Sequence, residues 1–174
     1  KSKLCGTSPI ELLVAGGMWG LACNAVHFLD LIQWWTEERL EQVDTSELQP
    51  QWFEGKRPGY WEVMGSLNAK FSGGSVAKLS VSEGTEPYSI QIHESQFDWT
   101  IEESAGKAVR SDGLEIPGRL SFQSQMTTGL VESLLQTGRC GLPTFAESAE
   151  LHRVFLRGLI EHWNQQMNHR ATAL

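Results

Sequence analysis

The sequence predicts an α+β domain, an open, mostly antiparallel β-sheet with helices packed on one face. Three observations carry this. Apolar residues recur with a helical period up to about residue 38 and again after residue 117. Between about residues 60 and 110 the period changes to two. The alternating runs are joined by short polar turns, which suit antiparallel neighbours; parallel strands need long crossovers. At 174 residues the chain is long enough to bury the core of one domain.

Residues 1–9 are a polar lead-in. Ile10 to Ala15 is a short apolar run, either a buried strand or a helix end, closed by Gly16-Gly17. Met18, Trp19 and Gly20 lead into a helix that runs to about Glu38. By three-and-four spacing Asn24, His27, Phe28, Leu31, Trp34 and Trp35 share one face of it. The last four are expected in the core, with Asn24 and His27 at the open end of the stripe. Residues 39–49 are acidic and partly extended, with Leu40, Val43 and Leu48 as anchors of one strand. Pro50 to Pro58, with Trp52 and Phe53, reads as an irregular connection carrying exposed aromatics.

From Tyr60, Val63, Gly65, Leu67, Ala69 and Phe71 alternate with polar neighbours along a strand. Ser72-Gly73-Gly74-Ser75 is a hairpin turn, Val76 to Val81 returns, and Glu83-Gly84-Thr85 turns again. Tyr88, Ile90 and Ile92, then Phe97, Trp99 and Ile101, continue the pattern, and Ala105 to Arg110 adds an edge strand. Phe122, Met126, Leu130, Leu134 and Leu135 then line one face of a helix from Ser121 to Thr137, with Gly138 as its C-cap. Thr144-x-x-Glu147 is a capping box that opens the last helix. Its buried stripe is Leu151, Phe155, Leu159, Ile160 and Trp163, and Gly158 marks close packing. Residues 168–174 read as a frayed tail.

A formal net charge of −7 argues against nucleic acid and against an anionic membrane surface as partners. No apolar run is long enough to span a bilayer, and the start shows no secretory pattern. Cys5, Cys23 and Cys140 are odd in number and lack zinc-type spacing, so a reduced, cytoplasmic setting is expected. The chain opens on Lys1, and the expectation is that it is a piece of a longer one.

Gly16-Gly17-x-x-Gly20 lacks the strand, turn and helix of a dinucleotide fingerprint, and Ser66 sits mid-strand rather than on a nucleophile elbow. His152, His162 and His169 are not spaced as metal ligands and are assigned to the surface, as is His93. Glu37-Glu38 and Glu102-Glu103 are assigned as solvated charges. That leaves Asn24 and His27. Either Asn24 caps free N–H groups and His27 is a satisfied core histidine, or the pair faces a pocket.

Gly17-x-x-Gly20-x-x-x-Asn24-x-x-His27-x-x-Asp30-Leu31 resembles the start of the C-terminal domain of the Gfo/Idh/MocA oxidoreductases. The closing segment agrees. Ser124, Leu130-Val131, Leu134-Leu135, Thr137-Gly138, Leu142-Pro143-Thr144 and Glu147-Ser148 followed by His152 are similar to that family's paired terminal helices. The resemblance covers almost the whole chain. It implies one substrate-binding and oligomerisation domain over residues 1–174, from an enzyme whose N-terminal Rossmann half binds NAD or NADP and supplies a lysine. That half is absent from this sequence, so the chain alone is expected to hold no cofactor and to be inactive.

The resemblance further implies an NAD(P)-dependent oxidoreductase acting on a sugar, cyclitol or similar hydroxy compound. His27 would be the general acid/base or its close partner. Many members carry an aspartate four residues before that histidine; here the position is Cys23. Asn24 is then left to orient a substrate hydroxyl, and Cys23 and Trp19 join it as substrate-binding residues. The implied partners are the sugar-like substrate, the missing Rossmann domain and further copies of the chain through the sheet face. The alternative is an oligomerisation, scaffold or small-molecule-binding module without redox activity.

Overall fold

The computed structural model describes residues 9–118 and 123–167. The elements in order are β1 (Glu11–Gly17), α1 (Leu21–Thr36), β2 (Leu40–Glu54), β3 (Trp61–Phe71), β4 (Val76–Ser82), β5 (Ser89–His93), β6 (Asp98–Glu102), β7 (Lys107–Arg110), β8 (Glu115–Pro117), α2 (Gln123–Thr137) and α3 (Phe145–Gln166). The strands form one open sheet in the order β2-β3-β4-β1-β5-β6-β7-β8. Every neighbouring pair is antiparallel except β1 and β4, which run parallel with Leu12 opposite Ala77 and Val14 opposite Leu79. The α+β class expected from the sequence is the class observed.

The first strand is central because it is apolar on its inner side and receives partners on both edges. Leu12 and Val14 of β1 are buried together with Leu79 and Ile92 of the strands beside it. α1 lies across β3 and β4, and α3 lies on β2 and against α1, so these two helices cover one face. Gly158 is where α3 meets β2: a Cβ there would stand 3.1 Å from Val43 Cγ1. The other face is polar, with Lys78 ion-paired to Glu47 at 2.8 Å and Ser66 hydrogen-bonded to Ser80 at 2.9 Å.

Four expectations are corrected. Pro50 to Glu54 is not an irregular connection; β2 runs through it as one bulged strand of 15 residues. Proline is tolerated because β2 is the sheet edge, where a missing N–H costs no ladder bond.

The buried stripe of α1 is Leu21, Ala25, Leu29, Ile32 and Trp35. It is turned by about one residue, roughly 100°, from the face expected. Apolar residues surround this helix, so spacing alone does not choose the inward side. Trp34 is 52% exposed, while Phe28 and Leu31 pack half-buried against the core.

α2 forms as a helix, but its apolar stripe does not enter the core. Met126, Leu134 and Leu135 are exposed, Leu135 at 80%, and Phe145 just beyond is 90% exposed. The helix packs closely on neither the sheet nor the other helices. Its expected first residues, Ser121 and Phe122, lie outside the described residues, as do Cys5, His169 and the tail.

His162 is not a surface residue; it is 5% exposed. Its Nδ1 accepts the indole N–H of Trp52 at 3.1 Å. Burial pushes its pKa down, against a hydrogen bond to the Leu48 backbone, so the ring is held neutral. Of the carboxylates assigned to solvent, Glu38 is half-buried while Glu103 stays exposed. Glu38 is tied to the β3–β4 turn by Gly73 N–H, Ser75 N–H and Ser75 Oγ, and Glu103 accepts the Tyr88 hydroxyl.

Candidate functional site

The site is built where β1 hands over to α1. Gly17 has no room for a side chain, since a Cβ would stand 1.9 Å from the Gly84 carbonyl oxygen. The glycines before Met18 are therefore spent on packing against the β4–β5 connection. Gly20 is the turn residue: it caps α1 at φ 79°, a left-handed conformation that glycine adopts without strain, and offers no side-chain cap.

The missing cap comes from another strand. Glu62 of β3 is buried, and its carboxylate accepts the N–H of Ala22 at 2.8 Å and of Cys23 at 3.3 Å. A carboxylate at a helix N-terminus satisfies free donors and meets the positive end of the helix dipole. Capping was one of the two readings the sequence left open for Asn24. Glu62 looked like one more polar residue in the alternation of β3, and no local signal marks a cap supplied from 40 residues away.

Asn24 does the opposite of capping. Its Nδ2 donates to the carbonyls of Trp19 at 2.8 Å and Gly20 at 3.0 Å, fastening the loop to the helix. Both N–H groups are committed, so its carbonyl oxygen is what it offers a ligand. Trp19 is anchored too. Its indole N–H donates to the Ser80 carbonyl at 2.8 Å, and its ring meets Phe28 edge-on at 5.6 Å.

Beside this turn opens a groove of about 730 Å³. It is lined by Trp19, Cys23 and Asn24 from the start of α1, by Glu62 and Met64 of β3, and by Arg57 and Tyr60 of the β2–β3 loop. That volume suits a small organic ligand. The Cys23 thiol is raised to about 11, first by its hydrogen bond to Glu62, then by burial and the Glu62 charge, with Arg57 acting against them. It is a protonated hydrogen-bond donor at neutral pH rather than a nucleophile.

His27 does not line the groove. It is exposed one turn beyond Cys23 on the same side of α1. Helical side chains lean toward the N-terminus, so the imidazole lies over the turn that borders the groove. The structure thus gathers three of the four sequence-derived residues in one concavity and sets the fourth beside it. Among the described residues no group of histidine, cysteine and carboxylate side chains could hold a metal ion. No helix is long and apolar enough to cross a membrane.

The fold has solved counterparts. An oxidoreductase domain protein from Kribbella flavida superposes with a TM-score of 0.62 at 16% identity, over 92% of this chain and 58% of that one. The UDP-N-acetylglucosamine 3-dehydrogenase GnnA from Acidithiobacillus ferrooxidans gives 0.54 at 13% identity, over 88% and 52%. The super-repressor mutant of Gal80p from Saccharomyces cerevisiae gives 0.53 at 15% identity, over 91% and 56%. These neighbours are of the Gfo/Idh/MocA type, and at such identities the likeness establishes the fold. The chain spans about half the length of the solved structures it matches. No family model matches the sequence, and no curated protein matches it at a significant level.

Proposed function

We propose that this chain is the substrate-binding half of an NAD(P)-dependent oxidoreductase acting on a sugar, cyclitol or similar hydroxy compound. The observation that carries the reading is the groove at the start of α1. It gathers Trp19, Cys23 and Asn24, with His27 one turn further along, on a fold shared with half of an oxidoreductase.

The chain itself does not fit a dinucleotide. The only parallel pair among the described residues, β1 and β4, is not joined by the glycine-rich turn of a mononucleotide unit, and the N-terminus of α1, where a pyrophosphate would sit, is taken by Glu62. The hydride acceptor belongs to a separate half. On this side, Trp19 and Tyr60 give a ring apolar surface, and Asn24 accepts a hydrogen bond from a hydroxyl. His27 takes the proton of the hydroxyl being oxidised.

Calorimetric titration of the chain with NAD and NADP tests the division of labour. The reading expects no heat from either; saturable binding of either would contradict it.

A second reading is favoured by the uncovered apolar stripe of α2 and by the likeness to Gal80p, described as a super-repressor. In it the chain is an assembly or small-molecule-binding module without redox chemistry. Copies meeting across the sheet face would make a polar contact, whereas α2 offers an apolar one. Light scattering on the chain tests assembly, and a strict monomer contradicts it. The free thiols of Cys23 and Cys140 suit the reduced, cytoplasmic setting that both readings assume.

A further inference from the structure

The β2–β3 loop brings two cations to the groove. Lys56 and Arg57 stand on the loop between β2 and β3, both exposed and both lining the groove. The chain is acidic overall, yet among the described residues neither has an ion-pair partner. The two carboxylates beside them are committed elsewhere. Glu54 accepts the Gly59 N–H at 2.7 Å, and Glu62 is held by Ala22 and Cys23.

The loop is also held in shape. Gly55 N–H donates to the Tyr60 carbonyl at 2.6 Å, and Tyr60 N–H donates to the Arg57 carbonyl at 3.1 Å. Two cations thus line the same groove as Asn24 and Trp19. The end of α1 cannot serve an anion, because Glu62 already occupies it. The guanidinium is the group left to receive one, and its planar fork matches a carboxylate or a phosphate.

Resting on the reading above, we propose that the hydroxy compound bound in this groove carries an anionic group, a carboxylate or a phosphate. Arg57 receives it, with Lys56 beside it in the chain, while Asn24 of the same groove holds a hydroxyl. The loop then sets specificity: it selects sugar acids or sugar phosphates over neutral polyols.

The test is a chemical-shift titration of the ¹⁵N-labelled 174-residue chain with glucose, glucuronate and glucose 6-phosphate, at a salt concentration near 0.15 M to screen diffuse attraction. At least one charged probe should bind about tenfold tighter than glucose. Which one does so separates a carboxylate from a phosphate. In the K56Q/R57Q variant, whose changes fall on exposed positions, that preference should shrink to within about twofold. Equal affinity for all three probes, a preference that survives K56Q/R57Q, or no binding of any probe would overturn the proposal. N24A separates it from the parent reading, since it should weaken all three probes alike. A charge preference that depends on Lys56 and Arg57 but ignores Asn24 would keep the anion element and discard the hydroxy-compound groove.

Discussion

Glu62 on β3 and Cys23 on α1 are joined twice: the carboxylate accepts the backbone N–H of Cys23, and the thiol is hydrogen-bonded to it. The pair ties the sheet to the helix that carries the site. It also places a carboxylate beside the position where the family resemblance expects an aspartate and this chain has a cysteine. That carboxylate arrives from another element and is spent on the helix end.

Replacing Glu62 therefore has two expected effects. E62A removes the cap and should cost about 1–3 kcal/mol in chemical denaturation. E62Q removes the charge that holds the thiol near 11, so the Cys23 pKa should fall toward its ordinary value of 9.0. The pH dependence of alkylation at Cys23, read on the peptide by mass spectrometry, checks this. An unchanged profile would mean that Glu62 does not govern the thiol.

Asn24 faces two carbonyl oxygens with its N–H groups. N24A should lose about 1–2 kcal/mol by freeing the Trp19-Gly20 loop. N24D should cost more than N24A, because it turns a carboxylate oxygen on those same carbonyls. Urea denaturation of the two variants gives the order, and an Asp variant as stable as the parent would contradict the hydrogen-bond assignment.

His162 gives the fold an acid-sensitive point. Its native pKa lies below the ordinary value, so above that value the ring is neutral in both folded and unfolded chains. As pH falls below about 6.5, the unfolded chain takes up a proton that the buried ring refuses, and stability drops until the lowered native value is reached. H162Q keeps an acceptor for Trp52 but cannot titrate. It should be less stable near pH 7.5 by about 1 kcal/mol and should lose less on going to pH 5. Parallel slopes for parent and variant would show that His162 is not the cause.

The sheet was legible in the sequence because alternation is a local signal. Val63 to Phe71, Ile90 to Ile92 and Trp99 to Ile101 fall on strands as expected, with Tyr88 and Phe97 just outside β5 and β6, and the Thr144 capping box is present in full. What stayed hidden depends on partners distant along the chain. Position β8 is a three-residue strand whose only support is its pairing with β7. Nothing local distinguishes Pro50 on an edge strand from Pro50 in a loop; strand order decides it. The inward side of α1 is set by the sheet it lies on, since the helix is apolar nearly all round. α2 is the converse case. Its stripe is plain in the sequence, but burial needs a partner, and among the described residues it has none close by. At the site, Trp19, Cys23 and Asn24 were expected through the family resemblance, whereas Glu62 and Arg57 reach the groove only through tertiary structure.

The measurement that bears most directly on the account is the dehydrogenase activity of H27A, with this chain joined to the dinucleotide-binding half that the proposed function requires. His27 is exposed, so the variant should unfold within about 0.5 kcal/mol of the parent. Its kcat/KM with NAD or NADP should nevertheless fall by about 10²–10⁴. A variant that folds alike and turns over at the parent rate would show that the proton is carried elsewhere, and that this face of α1 is not the acceptor side of an active site.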